Sequence, residues 1–144
     1  MFALMQSAHV ESLHLTVDPV TGLKAIIAIH SSRLGPALGG CRYLAYSDDE
    51  SAVTDAVRLA QDMSYKAALA GLAVGGAKAV IMRAPHVESR AALFEAFGRC
   101  VEQLDGRYIT AIDSGTSMAD MDCIAQYTRH VTSTTAAGDP SPHA

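Results

Sequence analysis

The sequence has no basic block and no long apolar run, and each absence removes a class of function. A net charge of −4, with lysines and arginines dispersed along the chain, leaves no electrostatic footprint for a nucleic-acid partner. No apolar stretch approaches the roughly 20 residues of a membrane span, and residues 1–10 lack the basic start and apolar centre of a signal peptide. Cysteine is scarce: Cys41, Cys100 and Cys123 are odd in number and far apart, which fits neither a disulfide frame nor a CxxC site. Free thiols in a reducing, cytoplasmic compartment are the expectation. The histidines His9, His14, His30, His86, His130 and His143 show no ligand spacing, so no metal site is expected. None of the 11 glycines takes the GxGxxG spacing of a dinucleotide fingerprint. Gly71 and Gly76 have P-loop separation, but Ala77 intervenes before Lys78 and Ala79 stands where serine or threonine is needed. Nor is Ser114-Gly115 a nucleophile elbow.

What remains is the composition of one folded domain. The 144 residues are 49% hydrophobic and 18% charged, with a slightly positive mean hydropathy, and suffice to bury a proper core. Leu13, Leu15 and Val17 alternate with polar neighbours as in a half-buried strand, and residues 25–29 are a continuous apolar run. The turn residues Asp18-Pro19-Val20-Thr21-Gly22 between them predict an antiparallel hairpin. Residues 31–40, with Gly35-Pro36 and Gly39-Gly40, read as an irregular loop of the kind that carries function on a rigid scaffold. Residues 41–46 read as a third strand.

Ser47 and Glu50 have capping-box spacing, and Val53, Ala56, Val57, Ala60 and Met63 follow as one helical stripe. That helix is expected to run to Ala70, with Gly71 as its C′ residue. Residues 79–82 read as a short buried strand, 89–104 as a second long helix and 108–111 as another strand. A third helix is expected from Ser117 to about Thr128, and one more strand beginning at Val131. Strands alternating with helices after a hairpin define an α/β fold: a mixed, largely parallel sheet with an N-terminal antiparallel hairpin and flanking helices. Residues 1–132 make the domain. Residues 133–144, mostly Ser, Thr, Gly, Pro and Ala, read as a linker.

The chain is organised around residues 71–82, Gly-Leu-Ala-Val-Gly-Gly-Ala-Lys-Ala-Val-Ile-Met. Lys66 and Lys78 bracket a glycine-rich turn with little side-chain bulk, where backbone can approach a ligand closely. A lysine in a poorly hydrated space beside a second cation can serve as a base near neutral pH. The same residues also suit a plain helix C-cap and turn with two solvated lysines. Ligands gather at the carboxyl ends of parallel strands, and Asp113, in the exit turn Asp113-Ser114-Gly115-Thr116, falls at such an end. Its plainer reading is a turn-forming or capping aspartate.

Four motifs, in order, resemble one family. Gly35-Pro36-Ala37-Leu38-Gly39-Gly40-Cys41-Arg42 resembles the substrate loop of the Glu/Leu/Phe/Val amino-acid dehydrogenases, in their leucine/phenylalanine/valine branch. Met63-Ser64-Tyr65-Lys66 and Gly75-Gly76-Ala77-Lys78 resemble that family's two lysine motifs. Residues Thr110-Ala111-Ile112-Asp113-Ser114-Gly115-Thr116 resemble its aspartate motif. The resemblance covers nearly the whole chain and implies NAD-dependent oxidative deamination of an L-amino acid to a 2-oxo acid and ammonia.

By that resemblance Lys66 would hold the substrate α-carboxylate, Lys78 would act as general base on the attacking water, and Asp113 would shuttle a proton at the amino group. Gly39 and Gly40 would offer backbone contacts, and Met63 would line the pocket or simply fill core. In the glutamate branch a lysine stands immediately before the two glycines; here Leu38 would leave a side-chain carboxylate unpaired, so apolar amino acids are expected. Departures from the family pattern are Ala77 for a third glycine, and Ile112 and Ser114 beside Asp113. The family's nicotinamide cofactor lies on a second, Rossmann domain that these residues do not include, so the chain is expected to be the N-terminal substrate and homo-oligomerisation domain of such an enzyme, unable to transfer hydride alone. A free-standing amino-acid-binding or assembly module is the alternative.

Overall fold

The computed structural model describes residues 1–136. After a short helix α1 (Phe2–Ala8) come β1 (Ser12–Asp18), β2 (Leu23–Ile29), β3 (Ala37–Leu44), the long helix α2 (Asp49–Leu69), β4 (Gly75–Met82), α3 (Arg90–Gln103), β5 (Tyr108–Ile112) and α4 (Met118–Ala125). The strands form one sheet in the order β1-β2-β4-β3-β5. β2 pairs antiparallel with β1 and β4, while β3 pairs parallel with β4 and β5, so β2 alone runs against the other four. This is the mixed, largely parallel sheet with an N-terminal hairpin that the sequence implies.

Local chemistry explains most element ends. Asp18 closes the hairpin turn: its carboxylate accepts the Thr21 hydroxyl at 2.8 Å, and Gly22 takes the left-handed conformation at φ 80°. Ser89 caps α3 by accepting the Ala92 N–H, and Ser117 and Asp120 form a reciprocal capping box on α4. Gly71, at φ 71°, follows the α2 C-cap as expected.

Several expectations are corrected. The N-cap of α2 is Asp48, not Ser47: its carboxylate accepts the Ser51 N–H at 2.7 Å, and its negative charge complements the positive helix end. Residues 31–40 are not one long loop, because β3 begins at Ala37 and contains Gly39 and Gly40. Likewise β4 begins at Gly75 rather than at residue 79, so Lys78 stands inside a strand and the turn after α2 is confined to residues 70–74. Glycine pairs read as turns from sequence because strands lose packing there; here tertiary crowding requires them. A Cβ on Gly75 would stand 1.6 Å from the Ser31 carbonyl oxygen, and one on Gly39 would stand 1.7 Å from that of Ala77. Helix α4 ends at Ala125, short of Thr128, and Val131 makes a single bridge to Thr110 rather than opening a strand. Helix α1 was not anticipated. Of the expected linker over 133–144, residues 137–144 lie outside the described residues.

Each face of the sheet has its own core. Leu23, Ile27, Ile29, Tyr43, Ile81 and Tyr108 pack with α3 and α4, whereas Ile26, Ala28 and Val80 pack with α2 and the end of α1. Helix α2 lies chiefly over β4 and β2 and touches β3 only lightly. The α2 side of β3 and β5 is therefore left open, and this positions the site. Among the described residues no helix is long and apolar enough to cross a membrane.

Candidate active site

Side chains alternate across a strand, so the register decides what lies on the open half of the sheet. Leu38 pairs with Gly76 and Ile109, and Gly40 with Ala111; the same register brings Gly40 level with Lys78. Leu38, Gly40 and Arg42 of β3, Gly76 and Lys78 of β4, and Ile109, Ala111 and the following Asp113 thus share one face. Leu38, Ile109 and Ala111 are only half-buried, as residues without a covering layer should be. They form an apolar floor beside α2.

At one end of this floor the structure brings together the two residues that the resemblance implies for proton transfer. Lys78, 6% exposed, makes an ion pair through Nζ with Asp113 Oδ2. The plain reading of two solvated lysines therefore fails for Lys78. Asp113 is fixed by its exit turn: its N–H donates to Thr116 Oγ1 at 2.8 Å, and its Oδ1 accepts the Ser114 N–H at 2.7 Å. Thr116 in turn donates to the Cys41 carbonyl at 2.9 Å, tying the turn to β3. Gly115 sits at φ 84° with no room for a Cβ, which would stand 2.1 Å from the Tyr43 carbonyl oxygen. Burial pushes the Asp113 carboxyl up, but Lys78, the Ser114 N–H and Arg42 outweigh it and hold the group below its ordinary value. The result is a fixed carboxylate beside a buried ammonium, facing an apolar floor. Such a pair can take and give protons at a substrate nitrogen or water placed above it.

Lys66 and Met63 come from α2. Asp55 on this helix reaches Arg42 of β3, and Lys66 lies 11 residues on, three helical turns along the same stripe. Lys66 is thereby on the side of α2 that borders the open floor, about 16 Å along the axis. It is exposed and makes no ion pair with any described residue, as the plain reading has it and as a free cation awaiting an anion would also be. Met63 is half-buried near the same stripe. Helix α2 reaches the sheet closely here because Gly76 lacks a side chain, and Ser64 Oγ joins the two by accepting the Gly76 N–H at 2.9 Å and meeting His30 Nδ1 at 2.7 Å. Leu38 stands on the floor. Gly39 and Gly40 lie inside a strand, paired with Thr110 and Ala111, and the Gly39 carbonyl accepts the Tyr108 hydroxyl at 2.8 Å. Their evident contribution is room.

Sequence reasoning gave Arg42, Ile109 and Ala111 no role. The signal was the period of two: had the strand been begun at Ala37, positions 38, 40 and 42 would have fallen beside 109, 111 and 113. The concavities along the first turns of α2, under the hairpin turn and against α1 do not include Lys78 or Asp113. The chemistry rather than the depth of a hollow marks this site, which is an open floor. Among the described residues no group of three or more His, Cys, Asp or Glu could hold a metal ion.

With that geometry in hand, the comparisons with known proteins are decisive for the family. The profile of the Glu/Leu/Phe/Val dehydrogenase dimerisation domain matches residues 8–130. The chain belongs to this family. Within the Glu/Leu/Phe/Val dehydrogenases it is 49% identical to a leucine dehydrogenase of Geobacillus stearothermophilus over 99% of its own length, and 50% identical to a valine dehydrogenase of Streptomyces virginiae over 92%. It covers 40% and 37% of those proteins, so it spans about two fifths of the curated relatives it matches. Its fold is that of an L-tryptophan dehydrogenase from Nostoc punctiforme, with a TM-score of 0.86, 40% identity, and coverage of 90% of this chain and 39% of that one. A hetero-hexameric glutamate dehydrogenase from Thermus thermophilus shares the fold at a TM-score of 0.77 and 20% identity, over 97% of this chain and 42% of that one.

Proposed function

We propose that these residues are the substrate and self-association domain of an NAD-dependent amino-acid dehydrogenase, which oxidatively deaminates an apolar L-amino acid such as leucine, valine or phenylalanine to its 2-oxo acid and ammonia. The observation that carries the reading is the pairing of the buried Lys78 with the half-buried Asp113 at the end of an apolar floor. Lys66 binds the substrate α-carboxylate. Lys78 acts as general base on the water that attacks the imine, and Asp113 exchanges a proton with the amino nitrogen. Leu38 selects an apolar side chain, since a carboxylate there would be desolvated without a partner; Gly39 and Gly40 offer backbone contacts, Gly40 also keeps the floor low, and Met63 borders it. The leucine and valine dehydrogenases among the relatives support this substrate class.

Hydride transfer requires a nicotinamide held against the substrate Cα. The 144 residues contain no dinucleotide fingerprint, which supports the reading that this domain does not itself bind NAD or turn over alone. The free thiols Cys41, Cys100 and Cys123 support cytoplasmic residence. Self-association draws support from the family's description as a dimerisation domain and from the sheet edge, where β1 has no outer neighbour among the described residues and exposes Leu15 and Val17.

The test is turnover. A polypeptide joining these residues to a nicotinamide-binding domain should reduce NAD with leucine, valine or phenylalanine and discriminate against glutamate. Lys78→Ala should abolish turnover while leaving the fold intact. Turnover that survives in Lys78→Ala would overturn the assignment of the base.

A further inference from the structure

Two carboxylates, Asp113 and Asp55, stand on opposite sides of one arginine. Arg42 Nε is buried, makes no hydrogen bond to any described residue and lies 3.6 Å from Asp113 Oδ2, the oxygen that Lys78 also contacts. Its Nη1 donates to Asp55 Oδ2 at 3.4 Å, and Asp55 accepts the Tyr46 hydroxyl at 2.5 Å. The chain of contacts runs Lys78–Asp113–Arg42–Asp55–Tyr46, from β4 through the β5 exit turn and β3 to α2.

This arrangement answers a difficulty in the site. A lysine that serves as a base must spend part of each cycle without its charge. A buried carboxylate whose only cation has been neutralised is then unpaired and favours protonation. A guanidinium stays charged under the same conditions and can hold a carboxylate at ion-pair distance. We propose that Arg42 is a positioning residue that keeps Asp113 ionised and in place whether Lys78 carries its proton or has released it, while Asp55, held by Tyr46, competes with Asp113 for the guanidinium. The use of this grip in turnover rests on the proposed role of Lys78; the grip itself does not.

Among the described residues the groups that face Asp113 are Lys78 from β4, Arg42 and the buried Cys41 thiol from β3, and Tyr108 from β5 itself. Among the described residues helix α2 enters only through Asp55, by way of Arg42. Burial and the Asp55 carboxylate push the Tyr46 hydroxyl up, so it remains a donor at any working pH.

Carbon-13 carboxyl NMR on the 144-residue chain reads the proposal directly by following the Asp113 titration. Arg42→Gln removes one charge that opposes burial and should raise the midpoint by about one pH unit; Arg42→Lys should restore part of the shift. Asp55→Asn releases Arg42 from its second carboxylate and should move the midpoint the other way. That opposite sign keeps the test open even if Arg42→Gln folds poorly. Lys78→Gln should leave Asp113 still partly held down, and Lys78→Gln with Arg42→Gln should let burial prevail and lift it above the ordinary carboxylate range. A midpoint unmoved by Arg42→Gln or by Asp55→Asn would overturn the proposal. In a polypeptide that turns over, Arg42→Gln should lower kcat more than it alters KM and move the acid limb of the pH profile upward, with Arg42→Lys recovering both. A failure of Lys78→Ala to abolish turnover would sink the general-base reading and leave the NMR result standing, so the two failures are distinguishable.

Discussion

A Cβ built on Gly40 would stand 2.8 Å from Asp113 Cβ and 2.9 Å from its Oδ2, so the side chain that Gly40 lacks marks the space the carboxylate occupies. Backbone conformation does not require glycine at this position; the neighbour does. Gly40→Ala should therefore displace Asp113 away from Lys78 and weaken the ion pair, at an overpacking cost of about 1–3 kcal/mol. Thermal melting reads the stability, and the Asp113 titration should shift toward its ordinary value. A fully retained pair in Gly40→Ala would show that the floor has slack.

Acid should unfold the chain in two stages. Burial holds His14 and His30 below the ordinary imidazole value, so the fold favours their neutral forms. That contribution is complete above about pH 6.5 and is lost as pH falls through the depressed folded values. Asp113 and Asp120 are also held down, with burial opposed in Asp120 chiefly by Arg90 and in Asp113 chiefly by Lys78. Their contribution is present above about pH 4 and is lost below it. Urea midpoints measured from pH 8 to pH 3 should fall gently at first and steeply at the end.

Asp120 carries much of that second stage. It is 4% exposed, takes Arg90 Nε on Oδ1 at 2.9 Å and Nη2 on Oδ2 at 2.7 Å, and accepts the Ser117 N–H at the start of α4. Asp120→Asn should destabilise the fold by about 2 kcal/mol at neutral pH, less than a wholly stranded buried charge because Arg90 is half exposed. The same variant should flatten the acid limb of the stability profile. A limb as steep as in the unaltered chain would place the acid sensitivity elsewhere.

Much of this was legible in advance, for reasons that individual elements make plain. The hairpin announced itself because Leu13, Leu15 and Val17 alternate and Asp18 to Gly22 can only turn. The α2 stripe and its stop at Gly71 were equally local signals. What local signals could not give is that Gly39-Gly40 and Gly75-Gly76 lie in the sheet, because each is a glycine for the sake of a neighbour distant in sequence: Ala77 for Gly39, Asp113 for Gly40, Ser31 for Gly75, Ser64 for Gly76. The same long-range dependence hid Arg42, whose partners lie 13 and 71 residues away. Helix α1 escaped for a different reason: seven residues with no side-chain cap carry little pattern and are held by packing on α2.

Leu38 should govern which side chain is accepted. It is half-buried on the open floor, beside Gly76 and Ile109, with no charged side chain on its own row. In a polypeptide that turns over, Leu38→Lys should lower kcat/KM for leucine by about a hundred-fold and raise it for glutamate, because the new cation pairs a side-chain carboxylate but is left unpaired against an apolar side chain. Steady-state kinetics on both amino acids decides the matter. Unchanged discrimination would remove Leu38 from the substrate pocket.

The seat of α2 on the sheet should matter to substrate capture without touching the Lys78–Asp113 pair. A Cβ on Gly76 would meet the Ser64 backbone nitrogen at 2.1 Å and the Ala60 carbonyl oxygen at 2.7 Å, so Gly76→Ala must push the helix outward. That movement also breaks the Gly76 N–H bond to Ser64 Oγ and carries Met63 and Lys66 with it. Overpacking of this kind costs about 1–3 kcal/mol or somewhat more when backbone is the obstacle. Ser64→Ala removes the hydroxyl that joins Gly76 and His30 but forces nothing apart, so it should cost only about 1 kcal/mol. If Lys66 holds the substrate carboxylate, Gly76→Ala should raise KM well beyond Ser64→Ala while the Asp113 titration stays where it is in both. Equal KM values in the two variants would mean that the position of α2 does not set the carboxylate site, and that the anion is held by residues outside this stretch.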